Sequence, residues 1–357
     1  MKSVLALIVM VCASLAQAAD QTWDQLIAAA RKEGKLVIMG PPDPKVRQDL
    51  PAAFKARYGI NVEYIGGRSA ETATKLRAER SAGLYSTDIA LSGIQTMATI
   101  FYREKMLAPI KPALMPELLD GKKWKSGKPW FMDPDDQYIL RLFNVTGPLI
   151  SINTSQVRPD EIRSMQDLLL PKWKGKIMTL EPTVPGTGSN DAARIYLHLG
   201  DAYFKRLYID QKPVTSREQR QLLDWLARGT YPIAFGIADG DLESLRKDGM
   251  PLQQIYDLSD FPGTLTAGFG LVAMFNNAPH PNAAKLFANW IAGKEGMETY
   301  SRALGYATTR TDIDERSYLD PKMIPDPNRT YFDTYDWQFT VTTKEQTRLY
   351  MKDLLKR

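Results

Sequence analysis

Residues 62–71, Val-Glu-Tyr-Ile-Gly-Gly-Arg-Ser-Ala-Glu, carry an alternating apolar run into two glycines, an arginine and a serine. Glycine lets a backbone come close to a ligand. The first N–H groups of a helix lack partners within it, and the helix dipole is positive at that end. Gly67, Arg68 and Ser69 therefore have the chemistry to hold a carboxylate or phosphate, with a forked guanidinium suited to planar anions. The plainer reading is a capped turn beside a solvated arginine. Thr187-Gly188-Ser189-Asn190 repeats the design, and there too a capped helix without a ligand is the alternative.

Other residue groups are weaker. Asp133, Asp135 and Asp136 can pair with a cationic ligand group or hold Arg141, though a solvated acidic turn is the commoner outcome. Asp239 and Asp241 can cap a helix or face a cleft. Trp130 and Tyr138 can stack on a ligand, but aromatic residues more often fill cores. His198 and His280, the two histidines, have no partner at metal-ligand spacing. Gly186-x-Gly188 lacks the third glycine of a dinucleotide fingerprint, and no Walker motif is present. No cofactor is implied.

The elements that must position these residues follow an α/β order. Trp23, Leu26, Ile27 and Ala30 share a helical face closed by Gly34. Residues 36–39 read as a buried strand that ends in Gly40-Pro41-Pro42-Asp43. A helix over Val46, Leu50 and Phe54 follows, with Pro51 expected to kink or restart it. Strand 61–65, a helix capped by Ser69, strand 88–91 and the turn Ser92-Gly93 complete a βαβαβ unit, which implies a parallel sheet. Ligands of such sheets sit outside the carboxyl ends of the strands. Pro42, Asp43, Gly67, Arg68, Ser69, Ser92 and Gly93 are thus expected along one edge of a site. A second α/β unit runs from the strands at 138–143 and 149–153, through strand 176–180 and the turn at 187–190, to strand 231–235 and the loop holding Asp239.

Lys2, an apolar stretch over 4–15 and Ala16-Gln17-Ala18 read as a secretory signal peptide over residues 1–18. Cleavage is expected after Ala18, with Ala19 the rival. The stretch is shorter than the roughly 20 residues of a membrane span, so no direct membrane insertion is expected. Cys12 is the only cysteine and lies in this leader. Disulfides, thiol catalysis and cysteine-based zinc sites are then excluded from the exported chain. The formal charge of +5 comes from interspersed charges with no basic stripe, which argues against nucleic acid as a partner. The length calls for two domains.

Several scattered segments, in order, resemble periplasmic solute-binding proteins of ABC transporters, in the group related to ferric-ion, thiamine and phosphonate binders. They are residues 54–59 before 62–64 and the Gly-Gly-x-Ser turn; Glu79 before Thr87-Asp88-Ile89; 107–109; 150–154; Trp173-Lys174-Gly175-Lys176-Ile177; Gly186-Thr187-Gly188; 247–251; and 278–287 through Lys294-Glu295-Gly296. The resemblance implies a two-lobed α/β fold, type II-like, with a hinge and a ligand cleft. Lobe 1 is expected over 19–109 plus 257–312, lobe 2 over 110–256, and a C-terminal helical extension over 313–357. Residues 107–110 and 252–258 are the hinge candidates. It further implies a monomer that delivers a small molecule to a membrane permease. Ferric binders of this group carry adjacent tyrosines after the strand matching 231–235; here that loop, Gly236-Ile237-Ala238-Asp239-Gly240, has none. A small organic or phosphorylated anion is therefore the expected ligand. The alternatives are a ferric-ion or other cation binder, or an exported hydrolase using carboxylates such as Asp135 with Asp239.

Overall fold

The computed structural model describes residues 22–356 apart from Ala238; the expected signal peptide lies outside them. Helix α1 (Trp23–Glu33) starts at Thr22, where the Thr22 hydroxyl accepts from the Gln25 N–H and the Gln25 side chain accepts from the Thr22 N–H. It stops at Gly34 in the left-handed region (φ 69°). Strand β1 (Lys35–Gly40), helix α2 (Pro44–Tyr58), strand β2 (Asn61–Gly66), helix α3 (Ser69–Ser81) and strand β3 (Ile89–Ser92) follow. β1 pairs in parallel with both β2 and β3, as the βαβαβ order requires. α2 runs through Pro51 without restarting. A proline inside a helix costs about 3 kcal/mol, but Val46, Leu50 and Phe54 are all fully buried along one face. Each such side chain contributes about 1.5–3 kcal/mol, so the packed face outweighs the missing hydrogen bond.

Next come a short α4 (Ile94–Thr96) that continues into a π-helical turn (Met97–Tyr102), β4 (Leu107–Ala108), α5 (Pro116–Leu119) and β5 (Leu140–Arg141). After β6 (Val145–Gly147) the second unit contains β7 (Ile150–Asn153), β8 (Ile177–Leu180), α6 (Thr187–Lys205), β9 (Val214–Ser216), α7 (Gln219–Ala227), β10 (Ile233–Phe235), α8 (Asp239–Lys247) and β11 (Leu252–Ile255). The chain returns through β12 (Gly263–Thr266) to β13 (Leu271–Phe275), α9 (Pro281–Ala292) and α10 (Lys294–Leu304), and ends with β14 (Tyr331–Asp333) and α11 (Lys344–Leu354).

Three sheets result. The first has the order β2-β1-β3-β13-β4, with β5 also on β13; the second is β11-β7-β10-β8-β9; the third is β14-β12-β6. Leu36, Ile38, Phe54, Phe287 and Trp290 centre one core, and Ile150, Ile152, Ile177, Ile195 and Phe204 centre another. Two α/β units, each with its own core, give the two-lobed α/β architecture read from the sequence.

The division between the units differs from the expected one. Ile110, Leu114, Trp124, Phe131 and Phe143 belong to the first core, and Asn289 of α9 ties down this stretch through the Met115 N–H and the Ala113 carbonyl. Residues 110–143, assigned by sequence to lobe 2, therefore pack with the first unit. β4 lies in the first sheet and β11 in the second, so neither hinge candidate links the sheets. The links are β6 and β12, an antiparallel pair in the third sheet, with Thr264 opposite Gly147 and Thr266 opposite Val145. The tail is more than a helix: β14 adds to this third sheet in parallel with β12, and α11 buries Met351 in the second core.

Candidate functional site

The carboxyl ends of β1, β2 and β3 bring three of the expected turns onto one sheet edge. The Gly67 N–H donates to the Gly40 carbonyl, and the Tyr64 hydroxyl donates to the Pro41 carbonyl at 2.9 Å. Pro42 is exposed. Asp43 caps α2, its carboxylate accepting from the Val46 N–H at 2.9 Å. The cap position of α3 is Arg68, not Ser69, and no side chain caps that helix. Ser69 is already helical, so its hydroxyl is on the wrong side of the first turn to cap it, and the leading N–H groups gain no side-chain acceptor there.

Arg68 is exposed. A second arginine joins it. Arg47, on the first turns of α2, lies over Gly66, where an added Cβ would be 2.5 Å from its Nη2. Neither arginine forms an ion pair among the described residues. Arg47 is four residues after the cap Asp43, so capping geometry alone would have pointed its side chain back toward this turn. The Ser92-Gly93 turn is occupied differently: Ser92 is buried with its hydroxyl unpartnered. Gly93 faces the tail, an added Cβ there lying 3.4 Å from the Tyr335 hydroxyl. That hydroxyl donates to the Gly268 carbonyl.

In the second unit, β8 leads into α6. The Ser189 hydroxyl accepts from the Gly186 N–H at 3.1 Å and donates to the Gly186 carbonyl at 2.9 Å, so it is spent on the turn itself. Thr187 is exposed, Gly188 buried and Asn190 half-buried. An added Cβ on Gly188 would lie 2.3 Å from the Leu180 carbonyl oxygen. Gly188→Ala is thus expected to shift the start of α6 and to lower stability by about 1–3 kcal/mol, read as a fall in the urea midpoint; an unchanged midpoint would show that the helix start can move freely.

One turn further along α6 are Asp191 and Arg194, both buried and 3.6 Å apart. Burial pushes the Asp191 carboxyl up to about 6, against the opposing pull of Arg194, and pushes Arg194 down to about 10. Arg194 also donates to the Thr264 hydroxyl of β12, fastening α6 to the linking sheet. Asp239 opens α8, but its side chain, with that of Asp241, is outside the described ones.

The acidic turn is structural. Asp133 accepts from the N–H groups of Gln137, Tyr138 and Ile139 at 2.8–3.0 Å. Asp135 accepts from the Tyr102 hydroxyl at 2.7 Å, and Asp136 pairs with Lys111 at 2.6 Å. None of them holds Arg141, whose partner is Asp333 of the tail. Tyr138 sits half-buried, edge-on to Tyr102, with centroids 5.7 Å apart; Tyr102 in turn meets Trp337 of the tail at 5.1 Å. His280 Nδ1 is 2.9 Å from the Asp88 carboxylate, and His198 packs edge-on between Phe261 and Phe332.

The residues that sequence reasoning passed over are mostly in the tail. Tyr335 covers the Ser92-Gly93 turn. Arg348 donates to the Thr183 carbonyl at 3.1 Å, four residues before α6 begins. Lys344 is half-buried, 5.7 Å from the Phe339 ring centre, and burial pushes its amine down to about 8. Tyr335 had a signal in the aromatic density of residues 331–339, Tyr-Phe-Asp-Thr-Tyr-Asp-Trp-Gln-Phe, unusual for a solvated extension; Arg348 and Lys344 had none.

Comparison with solved structures finds the same architecture. Iron-bound HitA from Pseudomonas aeruginosa aligns at 15% identity over 88% of this chain and 99% of its own, with a TM-score of 0.65. The Trichodesmium protein IdiA (FutA), in complex with iron and citrate, aligns at 16% identity over 90% and 99%, with a TM-score of 0.69. AfuA from Actinobacillus pleuropneumoniae, a periplasmic binding protein with exogenous fructose-6-phosphate bound, aligns at 20% identity over 90% and 99%, with a TM-score of 0.63. No curated protein sequence matches the chain. Residues 49–330 match the family described as bacterial extracellular solute-binding protein. With two α/β units, paired linking strands and that match over most of its length, the chain belongs to the bacterial extracellular solute-binding protein family.

Proposed function

We propose that this protein is the solute-capturing component of an ABC importer, exported to the periplasm as a monomer, which binds a small organic or phosphorylated anion between its units and hands it to a membrane permease. The observation that carries the anion is the pair Arg47 and Arg68, exposed and without ion pairs among the described residues, flanking Gly66-Gly67 where α3 begins. Unpaired guanidinium groups beside open helical N–H groups suit a phosphate or carboxylate. The start of α6, with exposed Thr187, offers matching donors from the other unit. AfuA, of similar fold, was solved with a sugar phosphate. β6 and β12 are the natural hinge, since closure needs only a few linking residues to change conformation.

A ferric-ion reading has one observation in its favour besides the iron-bound relatives. Tyr64, Tyr300, Tyr306 and Tyr335 gather near Asp43 in the first unit. Iron(III) binds phenolates, however, and to ligate it the Tyr64, Tyr300 and Tyr335 hydroxyls would have to give up hydrogen bonds within the first unit. Those three hydroxyls already donate to the carbonyls of Pro41, Phe269 and Gly268. The anion is favoured.

The test is thermal stability of the protein with fructose 6-phosphate, inorganic phosphate, citrate or ferric ion. At a hundredfold excess over Kd, a bound ligand stabilises by about 2.7 kcal/mol. Stabilisation by at least one anion, without turnover, is expected. Stabilisation by ferric ion alone, with a coloured protein, would overturn the anion; hydrolysis of a bound anion would favour the enzyme.

A further inference from the structure

The tail, residues 331–354, is fastened to both units. Asp333 pairs with buried Arg141 of the first sheet, Tyr335 covers Gly93, and Trp337 and Val341 pack on the first unit's second apolar cluster. Beyond that point Arg348 reaches the Thr183 carbonyl, Tyr350 donates to Asp201 and packs on Phe204, and Met351 enters the second core. The crossing between units therefore falls in residues 342–347.

Lys344 is the cation at that crossing. It precedes Arg348, whose guanidinium donates to the Thr183 carbonyl, by one helical turn and so shares its helical face. Its amine has no ion-pair partner among the described residues and lies 5.7 Å from the Phe339 ring centre. Burial depresses its proton affinity, with no carboxylate among the described residues opposing the effect. A desolvated cation without a counter-ion is costly to keep, and the cost is recovered when an anion arrives. We infer that Lys344, carried by the C-terminal strap to the crossing between the units and one helical turn from the Arg348 contact with the loop before α6, is a binding residue for the anionic solute. This rests on the anion reading above.

Titration calorimetry with fructose 6-phosphate and inorganic phosphate tests it, on the parent protein and on Lys344→Met, Lys344→Arg and Arg68→Ala. A charged hydrogen bond accounts for about 10- to 100-fold in affinity. Lys344→Met is expected to bind at least about tenfold more weakly than the parent, while remaining folded with a raised melting midpoint at pH 7, because a desolvated charge has gone. Lys344→Arg, which keeps the charge, is expected to stay within about threefold. Affinity unchanged in Lys344→Met but lowered in Arg68→Ala overturns the role of Lys344 and leaves the anion standing. A parent protein that binds neither probe nor citrate overturns the anion reading and this inference with it.

Discussion

Asp333→Ala is expected to lower stability by about 3–5 kcal/mol, the usual cost of leaving one member of a buried ion pair alone. Arg141 is fully buried. Its Nη1 is 2.5 Å from Asp333, its Nε donates to the Phe143 carbonyl at 2.9 Å, and its Nη2 donates to Asn144 at 2.9 Å. The guanidinium stacks 4.3 Å from the Trp130 ring centre. Without the carboxylate, a full charge stays in place with only neutral partners. The reverse change should cost less. The Asp333 side chain is 21% exposed and also accepts from the Tyr335 N–H, so Arg141→Met leaves an anion that can hydrate. Urea unfolding of both variants checks the asymmetry. A loss under about 1 kcal/mol for Asp333→Ala would mean that the neutral partners suffice and that the strap is not anchored through this pair.

Arg47→Ala with Arg68→Ala is expected to weaken binding of fructose 6-phosphate, or of whichever anion stabilises the parent, by at least about 100-fold. Each single change should account for about tenfold or more, as charged hydrogen bonds do. Both side chains are exposed and form no ion pair among the described residues, so folding stability should move by no more than about 0.5 kcal/mol. The combined loss should be close to the sum of the singles if each arginine contacts its own part of the ligand, and short of the sum if they share one group. Calorimetry at two salt concentrations reads the result. Parent-like affinity in the double variant would place the ligand away from this turn.

Much of the first unit was legible because local chemistry and tertiary packing agree there. Gly34 and Gly59 stop helices in the left-handed conformation, Thr22 and Asp43 cap them, and short turns between β1, β2 and β3 leave only a parallel order. Pro51 does not restart α2, because a local rule was set against a fully buried face and burial is the larger energy. The boundary at residue 110 misled because the Pro- and Lys-rich composition of 111–129 hid Leu114, Leu118 and Trp124. Their burial depends on α9, which lies more than 150 residues later.

The candidate site divides the same way. The glycine turns at 66–67 and 186–188 could be read from the sequence, since close backbone approach needs glycine wherever it occurs; Gly188 against the Leu180 carbonyl is the direct case. The sequence by itself determined the two α/β units, the turns at their strand ends and the donors those turns hold. Tertiary structure alone decided which charges are already spent and which are free. Asp43, Asp133, Asp135 and Asp136 looked as available as any carboxylate, and each is used by a neighbour. Arg141 is sealed in, held by Asp333 rather than by the acidic turn, while Arg47 and Lys344, which no sequence pattern singles out, stand without counter-ions among the described residues. The physical reason is that the energy of a charge depends on solvation and on partners brought from distant parts of the chain, and neither is encoded in local spacing.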